Sequence, residues 1–546
     1  MAAKRPDEFA TDIIRTKNAL DTDREVFKVS WQEITDNMMP RKNEISTKRE
    51  RGSKRTSKRY SSTGEHAHGI LSAALHGAMS SSSVQWFGFS TGKSEIDEVK
   101  EVRDFFDKSS EILWKAFNSG NFHTQVHEAY LDITGLGTAC ILQEPDGVDA
   151  AMKKLVFTTF SIQDYVFEEA SNGLVDTVYL TRHYTGRQAI KKYGAENVSA
   201  KLKTAALKDP TARFRFVQVI GPVEDFEGKK TPDGMAFYTA HIEEDMNMTA
   251  VEGGYHEFPC AVPRWAQSSG EQWGRGPGNC ALPDIKVLNE ATRLELNAWA
   301  KAIDPPLLME EDGVVGGRLD MRPGKGNTVR SLDNSVKAFE TKARFDVNRI
   351  KLDEYRDSIR MAFFADQLEL PTTSTMTATE VQVRFDLMQR ILGPILGRLE
   401  YELQNPLIGR GFNILLRAGF FPPMPEILAQ ALSDGEVSIS YVGPLSRAQK
   451  QQEISGTLRW LEAISAVAQI NPQSLDLIDF DAVQRSLHKN SEQNENFMRT
   501  EKVVDDLRKA REEAQKQQQA MEQTQQAAGI ASDLGTAGAA DLERAA

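Results

Sequence analysis

The stretch LPTTSTMTATEV, residues 370–381, separates two segments that have strong helical patterns. It contains one proline and a run of small hydroxyl side chains, which are residues of the surface rather than of a hydrophobic core. Thr377 and Glu380 have the spacing of a capping box, so a helix is predicted to begin just after Thr377. The sequence therefore predicts a loop, 370–377, displayed between two long helices.

The helices on either side of this loop are indicated by apolar residues that recur every three to four positions. The first is predicted over about 344–368 and the second over about 378–417. Their apolar stripes are Phe345, Leu352, Tyr355, Ile359 and Ala362 in the first helix, and Val381, Phe385, Met388, Leu392, Ile395 and Leu399 in the second. Pro394 and Pro406 fall inside the second run, so kinks or breaks are predicted near both prolines.

A further helix is predicted upstream, from Leu282 to Ile303, where two consecutive prolines after Asp304 end it. Pro283 and Asp284 suit its first turn. The residues that recur at helical spacing are Ile285, Leu288, Ala291, Leu294, Ala298 and Ala302. Between this helix and the next, residues 307–342 are Gly-rich and contain short strand-like pieces.

The N-terminal half contains both helical and strand-like segments, which predicts a mixed α+β domain over about 1–275. Helices are predicted over 7–40, from His68 onward, and over 97–132. Segments rich in β-branched and aromatic residues predict the strands TACILQE, LVFTTFSI, DTVYLTRHYT, RFRFVQVI, MAFYTAHIEE and MNMTAVEGGYHEF. The basic linker within 41–65 is either a solvated loop or a patch that touches nucleic acid or an acidic partner.

The C-terminal part is predicted to be mostly helical. Within it, EVSISYV (436–442) has the composition of a strand, as WFGF (86–89) does in the N-terminal half. Residues 446–520 have helical patterns that end in a Gln-rich segment. The final residues, 526–546, are rich in Ala and Gly and are predicted to be disordered.

Composition limits the function further. The 546 residues carry a net charge of −12, which argues against tight DNA binding by charge neutralisation but allows weak, sliding contact. Cys140, Cys260 and Cys280 are far apart, so reduced thiols in a cytosolic product are predicted. The first twenty residues lack the apolar core of a signal peptide, and no run of 18 apolar residues exists, so no membrane span is expected.

No catalytic or cofactor motif is complete. Gly135-Leu136-Gly137 resembles the start of a dinucleotide loop, but Cys140 stands where the third glycine belongs, and a tight turn is the better interpretation. Gly324-Lys325 lacks the other residues of a phosphate-binding loop. His123 and His127 have a spacing that can hold zinc, although no third ligand is evident and a helix surface is the plainer interpretation. The sequence therefore favours a structural protein without a cofactor or metal.

Seven blocks occur in a characteristic order: WQEITDNMMPRKNE (31–44), GEHAHGILSAALHGAMSSSSVQWFGF (64–89), LNEATRLELNAWAKAIDPPLL (288–308), RMAFFADQLEL (360–370), MTATEVQVR (376–384), ILGPILGRLEYELQNPLIGRGFNIL (391–415) and SYVGPLSRAQK (440–450). This series resembles the head-to-tail connector, or portal, proteins of short-tailed, T7-like bacteriophages. The resemblance runs from about residue 31 to 450.

The resemblance implies the phage portal fold, an α+β architecture in several parts. These are an α/β wing (1–275), a first stem helix (276–303), a small β-containing clip (304–343), a second stem helix (344–369), a channel loop (370–377), a long kinked helix returning to the wing (378–445), a helical crown (446–525) and a tail (526–546).

The resemblance also implies a function without enzymatic activity. About twelve subunits would form a ring at one capsid vertex of the virion, after synthesis in the host cytoplasm, and double-stranded DNA would be packaged and ejected through its channel. The implied partners are the packaging ATPase (terminase large subunit), tail adaptor and nozzle proteins, major capsid and scaffolding proteins, and internal core proteins. The alternatives are an enzyme, which would need a carboxylate cluster or phosphate loop, and a capsid-interior scaffold or head-tail adaptor without a DNA channel.

Three groups of residues receive roles from this resemblance. The channel loop would face DNA through Thr372, Thr373, Ser374, Thr375 and Met376. The clip cations Arg322, Lys325 and Arg330 either meet the motor or tail adaptor or are simply solvated. A ring also needs a second contact face on the stem helices, for which Val287, Leu296, Trp299 and Phe364 are expected.

Overall fold

The computed structural model describes residues 7–42, 44–47, 52–55, 59–82, 85–97, 99–145, 155–310, 320–329, 336–338, 345–368, 392–433, 440–442, 454–465, 478–490, 503–504, 507–511 and 513–517. The chain forms two compact units, Met1–Leu445 and Ser446–Ala546. Helices and sheets occur together in the first unit, which confirms the α+β class.

The chain up to residue 136 is mainly helical. Its elements are α1 (Glu8–Asp23), α2 (Glu25–Met38), α3 (Thr63–Met79), β1 (Gly88–Ser90), α4 (Ser94–Asp97), α5 (Lys100–Ser119) and α6 (Phe122–Leu136). The helix predicted over 7–40 is confirmed as the pair α1 and α2, and the one over 97–132 as α5 and α6 with the end of α4. Each of these longer helices buries one apolar stripe, as the three- to four-residue spacing requires.

The following part is built from two antiparallel sheets. Its strands are β2 (Cys140–Pro145), β3 (Leu155–Phe160), β4 (Tyr165–Glu169), β5 (Val175–Thr185), β6 (Arg213–Pro222), β7 (Phe237–Glu243), β8 (Met248–Tyr255) and β9 (Cys260–Ala261). Five strands form a sheet in the order β4-β5-β6-β7-β8, and three form a sheet in the order β3-β2-β9. All six predicted strands are confirmed. Strand β4 and two helices between β5 and β6, α7 (Gly186–Tyr193) and α8 (Ala200–Lys208), escaped prediction.

Aromatic residues join the helices to the smaller sheet. Trp86, Phe117 and Phe122 stack on one another, with the rings of Phe117 and Phe122 4.8 Å apart at their centroids. Phe157 of β3 meets both phenylalanines edge to face. Such ring pairs add stability beyond their buried area, so this cluster fixes α5 and α6 against β3.

Two long helices follow, with a small sheet between them in the sequence. The elements are α9 (Pro277–Ile303), β10 (Leu307–Glu310), β11 (Gly326–Val329), β12 (Val336–Ala338) and α10 (Phe345–Ala362). Strand β10 pairs in parallel with β11 and antiparallel with β12. Helix α9 starts at Pro277 rather than at Leu282, because a proline with its fixed φ suits the first turn. Pro283 therefore lies inside the helix, contrary to the prediction.

The helix predicted to run to residue 368 is interrupted. Helix α10 ends at Ala362, and Phe364 has a φ of 54°, which lets the chain turn before the short helix α11 (Ala365–Leu368). Phe363 and Ala365 are both fully buried. The turn therefore directs the residues on both of its sides into the core.

The described chain resumes at residue 392 and packs against the same core. Residues 392–399 are helical and lead through a π-helical turn, Glu400–Gln404, into α12 (Asn405–Arg417), α13 (Glu426–Ser433) and β13 (Ser440–Val442). The turn lies directly before Pro406, where a kink or break was predicted, and the helix is distorted there but continues without interruption to Arg417. The kink at Pro394 stays a prediction, because the residues before 392 lie outside the described residues. Helix α13 was not predicted.

Strand β13 pairs antiparallel with β1, and Phe89 lies opposite Tyr441. Both strands were predicted from composition, but their pairing across some 350 residues was not. In the second unit, residues 454–465 and α14 (Phe480–Asn490) are helical, as predicted for those positions, and Arg508 pairs with Asp481.

Candidate functional site: the paired helices α9 and α10

Helices α9 and α10 pack side by side where they meet the core. Ile285 and Leu288 of α9 are buried, as are Leu352 and Ile359 of α10. The hydroxyl of Ser358 donates to the carboxylate of Asp284 at 2.6 Å, which links the two helices at this level. The predicted stripes therefore form the contact between the helices over this part of their length.

Beyond this region the apolar residues of α9 are exposed. Trp299 is 50% exposed and Ile303 is 83% exposed, and Leu294 and Leu296 are about half exposed. The apolar residues predicted at helical spacing lie on α9, but those beyond Ala291 are not buried within the chain. A cluster of large exposed apolar side chains on one element typically marks a surface that another protein covers.

The residues expected to form a second contact face divide into two groups. Val287, Leu296 and Trp299 are exposed on α9, as a contact face requires. Phe364 instead packs partly buried against the core, because of the turn after α10. The polar side chains of α9 include an exposed ion pair, in which Arg293 contacts Glu290 at 2.5 Å.

The small sheet is joined to the end of α9 by backbone hydrogen bonds. The N–H of Leu307 donates to Lys325 at 2.9 Å, and the N–H of Gly324 donates to Asp304 at 3.1 Å. The guanidinium of Arg322 pairs with Asp320 and lowers the pKa of that carboxyl group to about 2. Arg322 is therefore already neutralised within its own turn.

The predicted site residues are only partly within the described residues. Arg322 and Lys325 lie exposed in the segment before β11. Arg330 and the channel-loop residues Thr372–Met376 lie outside the described residues. Their roles stay predictions.

A buried ion cluster fixes the returning helix to the sheets. Arg264 is 1% exposed, and its guanidinium contacts the carboxylates of Glu402 and Glu169 and donates to the carbonyl of Gly173 at 2.9 Å. Glu402 lies in the π-helical turn and Glu169 at the end of β4. Sequence reasoning missed this cluster, because partners this far apart in the chain leave no local pattern.

The histidine pair on α6 is engaged by protein groups. His123 Nδ1 lies 3.2 Å from Nε2 of His76 on α3, and its other nitrogen contacts the Asn118 side chain. Burial and the neighbouring imidazoles of His123 and His127 lower the pKa of His76. Within the described ranges, no group of three or more ligating side chains is arranged to hold a metal ion.

The turn at Gly137 is structural, as predicted. Gly137 has a φ of 91° and its N–H donates to the carbonyls of Asp132 and Ile133, which ends α6. A Cβ at this position would lie 2.4 Å from the carbonyl oxygen of Gly274. The glycine is therefore needed for a close approach of two backbone segments.

Two further sequence expectations concern cysteines and membranes. All three cysteines are free, and Cys140 and Cys260 are buried. None of the helices in the described part of the chain has the length and apolarity needed to cross a bilayer.

Comparison with known proteins adds independent information. The profile of the family described as "Bacteriophage head to tail connecting protein" matches residues 10–491. A protein named "Probable portal protein" from Bordetella phage BPP-1 is 28% identical over 474 residues, covering 85% of this chain and 84% of its own. A protein named "Portal protein" from Salmonella phage epsilon15 is 24% identical over 548 residues, covering 98% of this chain and 96% of its own.

Two solved structures of gene transfer agent particles are also similar at low level. The neck of an empty particle contains a chain with 12% identity and a TM-score of 0.29, covering 62% of this chain and 78% of that one. A native virion contains a chain with 12% identity and a TM-score of 0.28, covering 62% of this chain and 88% of that one. The family match, by contrast, spans most of the sequence, from α1 to the end of α14, and on that basis the chain belongs to the family of bacteriophage head-to-tail connecting proteins.

Proposed function

We propose that this chain is the subunit of a ring-shaped portal at one vertex of a phage capsid, through which double-stranded DNA enters and leaves. The observation that carries the proposal is the family match over residues 10–491. The two relatives named as portal proteins, which align over most of their own lengths, support it.

The exposed faces of α9 support assembly into a ring. A closed ring requires that one face of each subunit fit a different face of the next subunit. Leu296 and Trp299 are large apolar side chains about half exposed in the isolated chain. Burial of such side chains stabilises an interface by roughly 25 cal/mol per Å² of apolar surface. We assign this face to contact with the neighbouring subunit, with about twelve subunits in the ring.

The paired helices are the proposed stem. Helix α9 has 27 residues, which corresponds to a length of about 40 Å at 1.5 Å per residue. The strands β10, β11 and β12 have three or four residues each and make a sheet too small to be stable alone. In the proposal this sheet is the clip and is completed by contact with neighbouring subunits. Residues 1–275 are the wing, and residues 446–525 are the crown.

The loop over 370–377 is the proposed lining of the channel. A channel must let a polyanion slide, and each phosphate that is neutralised by Lys or Arg adds grip. Thr372, Thr373, Ser374 and Thr375 offer uncharged hydroxyls, which hydrogen-bond phosphates without reading sequence. A ring of twelve chains, each with a net charge of −12, would carry roughly −144. An acidic or neutral lumen lowers friction on DNA.

The proposed partners attach at the clip and around the wing. They are the terminase large subunit, then tail adaptor and nozzle proteins, with the capsid, scaffolding and internal core proteins on the other side. Arg322 and Lys325 are both exposed and are the candidates among the described residues for contact with an acidic surface of the motor or adaptor.

Electron micrographs of the purified protein, combined with a measurement of particle mass, test the proposal. Closed rings with a central hole slightly wider than duplex DNA are expected. A monomer at micromolar concentration, or an elongated particle without a hole, would overturn the portal and favour a scaffold or adaptor.

A further inference from the structure

The segment from α7 to the start of β6 carries a charge opposite to that of the whole chain. Residues 186–216 contain eight Lys or Arg and two Asp or Glu, a net charge of +6, whereas the complete chain has −12. Helices α7 and α8 are short and escaped prediction. The connector function assigns no role to this concentration of positive charge.

The local fold places the charges of α7 and α8 on one surface. A separate small core is formed by Ala189, Tyr193, Leu202, Phe214 and Phe216. A Cβ added at Gly186 would lie 2.2 Å from the Cβ of Ala206, so α7 and α8 approach each other closely there. Both helices bury their apolar sides in this core, and their basic side chains therefore remain in solvent.

The alternation of β6 places its two arginines on the other face of the sheet. Arg213 and Arg215 are exposed, whereas Phe214 and Phe216 between and after them are buried. Successive side chains of a strand point to opposite faces. Phe214 and Phe216 belong to the small core under α7 and α8, so the two arginines lie on the opposite face of the sheet and are not part of the surface of these helices. We call the surface formed by α7 and α8 the basic face.

Most of these cations are not neutralised by the protein. Arg215 pairs with Glu244 at 2.9 Å, and Lys192 donates to the hydroxyl of Tyr184 at 2.9 Å. Within the described part of the chain, no carboxylate lies within ion-pair distance of five others on α7 and α8. These five are Arg187, Lys191, Lys201, Lys203 and Lys208. Elsewhere, buried cations such as Arg264 are fully paired. Uncompensated charge of one sign is the electrostatic footprint of a binding site for a polyanion.

The composition of the basic face favours nucleic acid over an acidic protein. Protein interfaces typically contain aromatic anchors in an apolar centre. On α7 and α8 the only large apolar side chain exposed among the described residues is Leu207. Contacts to DNA phosphates need only Lys, Arg and polar groups. We propose that the basic face binds the phosphate backbone of double-stranded DNA, without sequence readout.

This inference rests on the proposed function, since it requires DNA beside the portal. The basic face differs from the proposed channel in location and effect, because a cationic surface holds DNA whereas the channel must release it. We therefore place the basic face outside the channel, where it retains a static segment of the genome.

The test measures salt-dependent binding of a 30-base-pair duplex to the full chain by fluorescence anisotropy. The test variant is Lys191→Ala/Lys201→Ala/Lys208→Ala, and the control is Lys100→Ala/Lys108→Ala/Lys115→Ala on α5, which removes the same charge from exposed positions. Each lost phosphate contact lowers the slope of log K against log salt by about 0.9. The slope of the test variant is expected to be smaller than that of the parent by about 2 to 3, and its affinity for the duplex at least tenfold lower. The control is expected to change neither quantity.

Equal effects of the two variants, or no effect, would overturn the basic face as a DNA site. Binding of polyglutamate but not of the duplex would also overturn it, in favour of an acidic protein. The same samples are measured for particle mass. If the protein forms rings and the test variant binds DNA with the same slope as the parent, only this inference is contradicted. If the protein is a monomer and the slope falls in the test variant, only the portal is contradicted.

Discussion

Glu402 accepts hydrogen bonds from both the guanidinium group and the backbone N–H of Arg264, at 3.1 and 2.8 Å, although 138 positions separate the two residues. Glu402 lies in the π-helical turn before α12, and Arg264 follows β9. The contact therefore ties the returning helix to the sheets. Because Arg264 is almost completely buried, removal of Glu402 leaves its guanidinium with only one carboxylate, that of Glu169, and with an unsatisfied backbone N–H.

Replacement Glu402→Gln is expected to lower the free energy of unfolding of the first unit by about 3 kcal/mol, since a buried ion pair is broken from one side. Urea unfolding followed by tryptophan fluorescence measures the change. The matched control is Glu290→Gln, which breaks the exposed pair with Arg293 and should cost less than about 0.5 kcal/mol. Equal unfolding midpoints for both variants would show that the buried ion cluster stabilises the first unit no more than the exposed ion pair does.

The variant Trp299→Glu is expected to prevent ring assembly without unfolding the chain, because a charge replaces an apolar side chain in the proposed subunit contact. The fraction of rings, read from particle mass, should fall at least tenfold at equal concentration. Leu207→Glu is the control, because Leu207 is 87% exposed on α8, away from this face. Normal rings from Trp299→Glu would exclude α9 from the interface.

Acid is expected to destabilise the first unit through His68. Burial lowers the pKa of His68 to about 4, and its Nε2 lies 2.9 Å from the carbonyl oxygen of Leu131. The unfolded chain binds a proton near pH 6.5, above the folded pKa. The stabilisation is therefore complete above pH 6.5 and is lost as the pH falls toward 4, by on the order of 3 kcal/mol in total.

Thermal melts from pH 7.5 to 4 measure this loss. His68→Gln, which keeps a donor for Leu131 but does not titrate in this range, should give a shallower dependence of melting temperature on pH. An unchanged pH dependence in His68→Gln would assign the acid sensitivity to other groups, of which the buried His241, with a pKa lowered to about 3, is the next candidate.

Gly137→Ala is expected to destabilise the first unit by about 2 kcal/mol or more, because it combines a left-handed φ with a backbone clash against Gly274. Gly77→Ala is the opposite case, since Gly77 lies inside α3 with open space around it. That change should stabilise the chain by about 0.5 to 1 kcal/mol. Chemical denaturation of both variants measures these changes in the free energy of unfolding. Destabilisation by both would contradict the explanation from the φ angle and the space around each glycine.

The double variant Thr372→Lys/Thr373→Lys is expected to make assembled rings retain duplex DNA at least tenfold more tightly at low salt, because each added lysine can neutralise a phosphate. Co-sedimentation of rings with linear duplex measures retention. Thr372→Ser/Thr373→Ser keeps the hydroxyls and should behave as the parent. Equal retention by the lysine and serine variants would place the loop away from the DNA.

The elements predictable from sequence were those whose period is regular and whose neighbours are close in the chain. The apolar spacing of α5 and α10 and the β-branched composition of β5 to β7 indicated their structures directly. Helices α7 and α8 escaped because they are short and rich in basic residues, with an apolar side of only a few residues. The break at Phe364 escaped because a positive φ at phenylalanine comes from packing on both sides rather than from local preference.

The candidate site was predictable in composition but not in contacts. Trp299 and Leu296 stand out in the sequence as apolar residues off the main stripe, and their exposure agrees with that expectation. The Arg264 cluster, the pairing of β1 with β13 and the basic face depend on segments brought together by the fold. Only long-range structure reveals these.

Both helices of the pair α9 and α10 are anchored in one core. Helix α9 packs into the core through Ile285 and Leu288. Helix α10 and the turn after it pack into the same core through Ile359 and Phe363, and the chain is fixed again at Glu402. Mechanical load applied at the far end of α9 is therefore divided between two attachments in parallel. Because both helices are anchored in the same core, an axial load on one helix is shared with the other.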